Sequence, residues 1–290
     1  MLEATLNFLT EMAEKPVYYI TDPPPGVPRD NAEYDPRTVE IEDARTLSPA
    51  PRIDRQGFEL VHHETSVGNL FESQGIRAHY FPEVEALVAR LTGAERVLAF
   101  DHNLRSSAVE GTLDGQRREV RVSQEKGAGY EPYDEEALQT PVRIAHNDYT
   151  DLSAPQRVRD LVGGEETEAL LRRRFAFINV WKPIRGPVEC VPLAVCDATS
   201  LGPDDLVESD LVYEDRIGRT SGLVHKPGQR WFYYPGMQPH EALLLKCYDS
   251  DRQRPRFTAH SAFDDPTSPS DAAPRESIEV RTLAFFSAGS

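Results

Sequence analysis

From Phe175 to Phe286 the chain runs in short apolar segments, several of them alternating with polar residues and most separated by turn residues. Phe175–Trp181, Val191–Cys196, Leu211–Tyr213, Trp231–Tyr234, Ala242–Tyr248, Phe257–Phe263 and Ser277–Phe286 each read as a strand. Closely spaced strands without an internal repeat predict a sandwich or barrel. The first half has a different texture. Leu2, Leu6, Leu9 and Met12 recur at helical spacing, which predicts an amphipathic helix over 2–14 stopped by Lys15-Pro16. Residues 22–51, rich in proline and charge, read as an extended arm. A strand is expected at Phe58–Val61, a helix from Pro82 through Leu91 closed by Gly93, and a strand at Arg96–Phe100. A polar excursion over 111–140 precedes a strand opening at Val142; Ser153 then caps a helix to Val162, and a second helix is expected from Glu165 to Arg173. The expected organisation is one domain over 1–290. In it, an N-terminal helix and arm (1–80) decorate a core with helical insertions (81–286).

Composition narrows the classes. With 290 residues, 39% hydrophobic and 28% charged, the chain can bury a sizeable core. Its net charge of −16 argues against nucleic acid or an anionic membrane as partner. Cys190, Cys196 and Cys247 lack the spacing of a zinc site or a disulfide framework, and they read as buried reduced thiols. The first residues lack a basic, apolar leader, and no run approaches the roughly 18 apolar residues of a membrane span. These features predict a cytoplasmic protein, monomeric or homodimeric.

The chemistry begins at Val142-Arg143-Ile144-Ala145-His146-Asn147-Asp148-Tyr149. Side chains two apart on a strand share a face, so His146 and Asp148 can converge on one metal ion. A distant His would complete the 2-His-1-carboxylate triad of non-haem Fe(II), which leaves three positions open. His225 lies in a turn; His240 and His260 are the candidates. An oxygenase that uses 2-oxoglutarate must also grip the cosubstrate's far carboxylate, and an Arg fork with a neighbouring hydroxyl does this well. Arg275-x-Ser277, shortly after His260, supplies both groups, which favours His260 and leaves His240 as the rival. Arg281 shares a face with Arg275 and is a second possible anchor.

His146-x-Asp148, His260 and Arg275-x-Ser277 together resemble the Fe(II)/2-oxoglutarate-dependent oxygenases of the double-stranded β-helix (jelly-roll, cupin-like) type. The segments 146–150, 179–184, 192–197, 241–250 and 275–281 are similar to the asaB/CmcJ-like hydroxylase/desaturases, over roughly residues 80–286. The resemblance implies a mainly β fold with flanking helices, Fe(II) and 2-oxoglutarate as cofactors, O2 as co-reactant, and hydroxylation or desaturation of a small secondary metabolite. Some relatives carry methyltransferase-related names, but the chain's Gly127-Ala128-Gly129 lies in a polar loop rather than a strand-to-helix turn. Two other classes stay open: a jelly-roll metalloenzyme that does not use 2-oxoglutarate, and a non-catalytic small-molecule-binding relative.

Other residues carry weaker expectations. Asn179 and Tyr149 are candidates to touch the cosubstrate, while Trp181, Arg105 and His240 are candidates to touch the substrate. Trp181 and Tyr149 are as readily explained as core. His62 and His63, being adjacent, face opposite ways and do not readily share a metal. Lys182, Arg185, Glu125-Lys126 and Arg172-Arg173-Arg174 read as surface charge.

Overall fold

In the computed structural model, which describes residues 1–109 and 138–287, two β-sheets face each other in a jelly roll. Residues 110–137, which hold the Gly-x-Gly stretch and Glu125-Lys126, lie outside the described residues. The smaller sheet has the order β4 (Phe58–His62), β12 (Glu241–Asp249), β7 (Phe175–Pro183), β14 (Glu276–Phe285) and β5 (Arg96–Ser106). The larger runs β1 (Leu2–Leu9), β3 (Tyr34–Asp43), β11 (Trp231–Tyr233), β8 (Leu193–Cys196), β13 (His260–Ala262), β6 (His146–Asn147), β10 (Ile217–Leu223), β9 (Leu206–Val212) and β2 (Val17–Tyr19).

Alternation divides the smaller sheet's side chains cleanly. Phe175, Phe177, Trp181, Leu243, Leu245, Leu283 and Phe285 face the other sheet and form the inner core. The intervening Ala176, Ile178, Val180, Ala242, Leu244, Ile278 and Val280 face outward. There they are covered by the helix Phe81–Thr92, which presents Val84, Leu87 and Val88 and ends on Gly93 in the left-handed conformation (φ 73°). Two β-bulges interrupt this sheet. In β12 the register slips between Lys246 and Tyr248, leaving Cys247 as the extra residue, and in β5 it slips at Phe100, between the partners of Arg281 and Thr282 on β14. Bulges re-aim side chains, and both of these lie beside the functional site.

The N-terminal segment departs from the sequence-based expectation. Residues 2–9 form a strand, paired along its whole length with β3, and not a helix. Leu2, Leu6 and Leu9 fit helical spacing by coincidence. The alternation of Ala4, Leu6 and Phe8 (buried) with Glu3 and Thr5 (exposed) and Asn7 (half-buried) is the period that governs. The proline-rich arm likewise contains β3. Pro36 is tolerated because β11 pairs only with Ile41–Asp43, so that end of β3 has a neighbour on one side alone. Residues 1–43 therefore build the large sheet, where decoration was expected.

Strand β10 was not expected, since Ile217-Gly-Arg-Thr-Ser-Gly-Leu223 carries two glycines. Gly222 has a steric reason. It pairs with His146, and a Cβ there would sit 3.0 Å from Leu9 Cδ2. Ser153 opens its helix, Ser153–Val162, but Thr150 does the capping: its Oγ1 accepts from the Ser153 N–H at 3.0 Å. The second helix is shorter than expected, Thr167–Leu171. Lys182 is buried, contrary to its reading as surface charge, and its ammonium donates to the His63 carbonyl. Arg174 is nearly buried too, paired with Asp249 at 2.8 Å.

Candidate metal centre and its cavity

His146 on β6 and His260 on β13 are directly opposite each other across an antiparallel pair, so both side chains leave the same face of the large sheet. Their rings lie 4.4 Å apart. Each imidazole is held by a backbone carbonyl two residues back: His146 Nδ1 is 2.7 Å from Ile144 O, and His260 Nδ1 is 3.0 Å from Thr258 O. That bond fixes the tautomer and directs both Nε2 lone pairs at one point.

Asp148 reaches the same point from just beyond the end of β6. Its Oδ1 is 4.0 Å from His146 Nε2, and its Oδ2 is 3.9 Å from His260 Nε2. Among the described residues these three form a group whose ligand atoms all lie within 4.8 Å of one another, close enough to hold a metal ion. The chain between them is fastened to the opposite sheet. The fully buried Asn147 amide donates to Tyr149 O at 2.8 Å and to Cys247 O at 2.9 Å.

The electrostatics suit a cation. Burial, with His260 close by, pushes His146 down to about 4, so the ring is a neutral ligand. Burial would raise the Asp148 carboxyl. The Arg281 guanidinium, together with His260, His146 and the Asn179 amide, outweighs it and holds the group well below the usual carboxylate range. Glu279 behaves oppositely: burial, and then the Asp148 charge, push it up. Burial pushes the Cys247 thiol well up, so this sulfur keeps its proton.

The triad lies in a cavity of about 940 Å³ between the sheets, at the upper end of the range for ligand pockets. Arg275 and Ser277 line one wall, 3% and 1% exposed. Arg275 lies over the Trp181 ring, 5.5 Å from its centroid, and donates through Nη1 to Val191 O at 2.7 Å. Its Nε and the Ser277 hydroxyl have no hydrogen-bond partner among the described residues. Burial, with Arg105 and Arg143 nearby, pushes the guanidinium down to about 9. A buried cation with an unused N–H beside an unused O–H is a cradle for a carboxylate, and it fits the far end of 2-oxoglutarate.

The other candidate residues separate. Arg281 is occupied, 2.9 Å from Asp101 and 3.7 Å from Asp148 Oδ1, so it neutralises the metal-side carboxylates and is not the open anchor. Asn179 is fully buried. Its amide nitrogen donates to Asp148 Oδ2 at 2.6 Å and Glu279 Oε1 at 3.2 Å, so it buttresses the aspartate from outside the cavity lining. Tyr149 lines the cavity and stacks on Phe177 at 4.1 Å. Trp181 also lines it, as the platform under Arg275. Arg105 lines it and donates to Thr140 O at 2.6 Å. His240 does not belong. It is exposed in a turn against the His62 ring, 5.3 Å away, because β12 begins one residue later and turns inward only from Ala242.

Sequence reasoning missed Cys247, whose Sγ is 3.5 Å from Asp148 Oδ2, and the N-terminal wall of the cavity, where Leu9, Val17, Tyr18, Ile20 and Tyr34 sit. No motif announces these residues. The N-terminal residues reach the site only because β1, β2 and β3 join the large sheet, and Cys247 reaches it from β12 of the small one.

A jelly roll carrying two histidines and one aspartate on its inner wall defines the class of non-haem iron oxygenases. Comparison with known proteins makes the assignment specific. A family profile described as an oxidoreductase/YMDC permease-like domain matches residues 6–285. The Fe(II)/2-oxoglutarate-dependent dioxygenase nvfI of Aspergillus novofumigatus is 32% identical over 277 residues, covering 93% of this chain and 90% of that one. A hydroxylase/desaturase of Cercospora beticola is 32% identical over 302 residues, with 95% and 89% covered. The hydroxylase/desaturase asaB of Aspergillus flavus is 40% identical over 147 residues, 44% of this chain and 63% of that one. Among solved structures, the iron and α-ketoglutarate-dependent endoperoxidase NvfI superposes with a TM-score of 0.82 at 31% identity, covering 99% and 98% of the two chains. The chain belongs to the family of Fe(II)/2-oxoglutarate-dependent hydroxylase/desaturases. It is an oxygenase of that class, and the expected fold and cofactors agree.

Proposed function

We propose that His146, Asp148 and His260 hold Fe(II), that Arg275 with Ser277 anchors the far carboxylate of 2-oxoglutarate, and that the substrate is a bulky, largely apolar small metabolite. The observation that carries this reading is the pairing, within one cavity, of a convergent His-Asp-His group with a buried Arg and Ser whose polar atoms await an acceptor. Bound together, the iron and 2-oxoglutarate supply with O2 an oxidant able to remove hydrogen from an unactivated carbon.

The chain's own residues do the rest. The carbonyls of Ile144 and Thr258 orient the two imidazoles. Arg281 keeps Asp148 ionised. Trp181 supports the Arg275 fork from below. Leu9, Val17, Ile20, Phe100, Leu193 and Leu211 give the cavity an apolar stretch of wall that suits a hydrocarbon skeleton. A metalloenzyme indifferent to 2-oxoglutarate would leave the Arg275–Ser277 pair without a purpose. A non-catalytic relative would have no use for three oriented ligands. The reading includes a cytoplasmic location, supported by three free cysteines. No described helix is long and apolar enough to cross a membrane.

The test is an anaerobic titration of metal-free protein with Fe(II) and then 2-oxoglutarate, following the weak visible charge-transfer band. The band should form in the wild type and in His240→Ala, and fail in His260→Ala. Iron bound with no band would refute the 2-oxoglutarate site. A band that survives His260→Ala but not His240→Ala would overturn the ligand set.

A further inference from the structure

The aspartate ligand is not free to choose how it binds. Asp148 Oδ2 receives the Asn179 Nδ2–H at 2.6 Å and lies 3.5 Å from the Cys247 Sγ–H. A carboxylate oxygen has two in-plane lone-pair directions, so two donors occupy Oδ2. Oδ1 keeps its lone pairs. It faces His146 Nε2 at 4.0 Å, as Oδ2 faces His260 Nε2 at 3.9 Å, but Arg281 Nη2, 3.7 Å from Oδ1, is beyond hydrogen-bond length, so what distinguishes the two oxygens is the pair of donors on Oδ2.

Both donors come from the inner face of the small sheet. Asn179 is at the centre of β7, opposite Leu245 of β12. Two residues further along β12 the register slips between Lys246 and Tyr248, so Cys247 has no partner residue on β7. Without that bulge, Cys247 and Tyr248 would point to opposite faces; with it, both lie in the inner core. Cys247 is in phase with the inward Leu243 and Leu245, so alternation itself sends the thiol toward the aspartate, and the bulge is what turns Tyr248 inward next to it. Asn179 carries a second contact, Glu279 Oε1 at 3.2 Å, which fixes the amide's rotation.

We propose that Asn179 and Cys247 are positioning residues that clamp Oδ2 of Asp148, making the carboxylate a one-oxygen ligand through Oδ1. The inference rests on the reading of His146, Asp148 and His260 as the metal ligands. A carboxylate free to rotate could chelate through both oxygens and occupy a position that the cosubstrate or O2 needs. The clamp keeps that position open.

The test uses the full chain loaded with Co(II), whose visible ligand-field spectrum reports coordination number, together with Fe(II) affinity from chelator competition. Wild type, His146→Ala, Asn179→Ala, Cys247→Ala and Cys247→Ser are compared after circular dichroism has established folding. Loss of an outer-shell partner of a metal ligand typically weakens metal binding about 10–100-fold, which is the expectation for Asn179→Ala. Cys247→Ala should lose about threefold to tenfold, as a weaker donor would. Cys247→Ser, which keeps an O–H donor, should restore affinity and spectrum. In both alanine variants the Co(II) bands should shift as the carboxylate changes mode, an effect that simple loosening of the core would not produce. Folded alanine variants with the wild-type spectrum and affinity would overturn the clamp while leaving the metal site standing. Should Asn179→Ala not fold, Cys247→Ala decides alone by the same criterion. Wild type that binds Co(II) no better than His146→Ala would overturn the metal reading itself, and the clamp with it.

Discussion

Arg275→Lys separates charge from geometry at the proposed cosubstrate anchor. In the native site the guanidinium has one hydrogen bond to Val191 O, an unused Nε–H, and the unused Ser277 hydroxyl beside it. A carboxylate seated there would gain a forked, charge-assisted contact plus one hydroxyl bond. Hydrogen bonds to charged groups contribute about 1.5–3 kcal/mol each. Lysine keeps the charge but loses the fork, and its ammonium cannot serve Val191 O and a carboxylate in the same plane. Losing one such bond amounts to about 1.5–3 kcal/mol, or a weakening of 2-oxoglutarate binding by roughly 10-fold to 150-fold. Arg275→Met should weaken it at least as much. The assay is the anaerobic charge-transfer titration with 2-oxoglutarate at saturating Fe(II), with iron affinity measured alone as the control. Stability distinguishes a lost anchor from a damaged fold. Burial pushes Arg275 down to about 9, so the ligand-free protein bears a desolvated cation, and Arg275→Met relieves it at the cost of one orphaned carbonyl. Its melting temperature should therefore be close to that of the wild type. Unchanged 2-oxoglutarate affinity in either variant would refute the anchor and move attention to Arg105, on the same cavity.

Acid should destabilise the metal-free protein before its surface carboxylates titrate. His146 is held neutral down to about 4, whereas an unfolded histidine protonates near 6.5, so the unfolded chain binds the extra proton and stability falls as pH drops from about 6.5 to 4, by up to about 3 kcal/mol. Asp148, with its carboxyl held low, adds a loss of the same sign below about pH 4. Burial pushes His63 down to about 4 as well, so thermal melts across that range should show a slope that His146→Asn reduces by about half and that His146→Asn with His63→Asn flattens. The N-terminal strand should prove integral to the fold. Phe8, fully buried with its ring 5.9 Å from Trp231 and 5.0 Å from His225, should cost about 3–5 kcal/mol as Phe8→Ala, a fall in melting temperature of the order of 6–10 °C. A fall under about 2 °C would mean that β1 is dispensable.

The legible parts of the sequence were those in which local pattern and chemistry coincide. β7, β12 and β14 show their period-2 alternation plainly because one face meets the inner core and the other meets a helix. That His146, Asp148, His260, Arg275 and Ser277 would meet in one cavity was legible because the metal and carboxylate recognition proposed for them restricts both residue type and spacing. β1 misled because Leu2, Leu6 and Leu9 satisfy two periods at once, and only the pairing with β3, more than thirty residues along the chain, selects between them. His240 misled because apolar Ala242–Tyr248 is visible in sequence while the turn that leaves His240 outside is not. Cys247 continues the inward phase of Leu243 and Leu245, but nothing in that strand's own sequence shows that it meets Asp148 of the opposite wall.

The placement of the site between the sheets explains why its supports read as core. The large sheet supplies His146 and His260, and Asp148 follows directly from its strand β6; the small sheet supplies Asn179, Cys247, Glu279 and Arg281 around that aspartate. Ligand geometry is thus set by the distance and register between two sheets, and the packing that fixes them also has chemical consequences. Tyr149, one residue after Asp148, stacks on Phe177 at 4.1 Å, and Asn147, one residue before it, bonds to the Cys247 carbonyl. The aspartate is therefore fastened to the opposite sheet on both sides along the chain as well as through its own oxygen. Between two rigid sheets, a three-residue segment held in this way can carry a ligand at the very end of a strand, where the backbone ladder alone would leave it loose. The apolar residues in that interface do more than stabilise the fold, because they determine where the Asp148 carboxylate stands relative to His146 and His260.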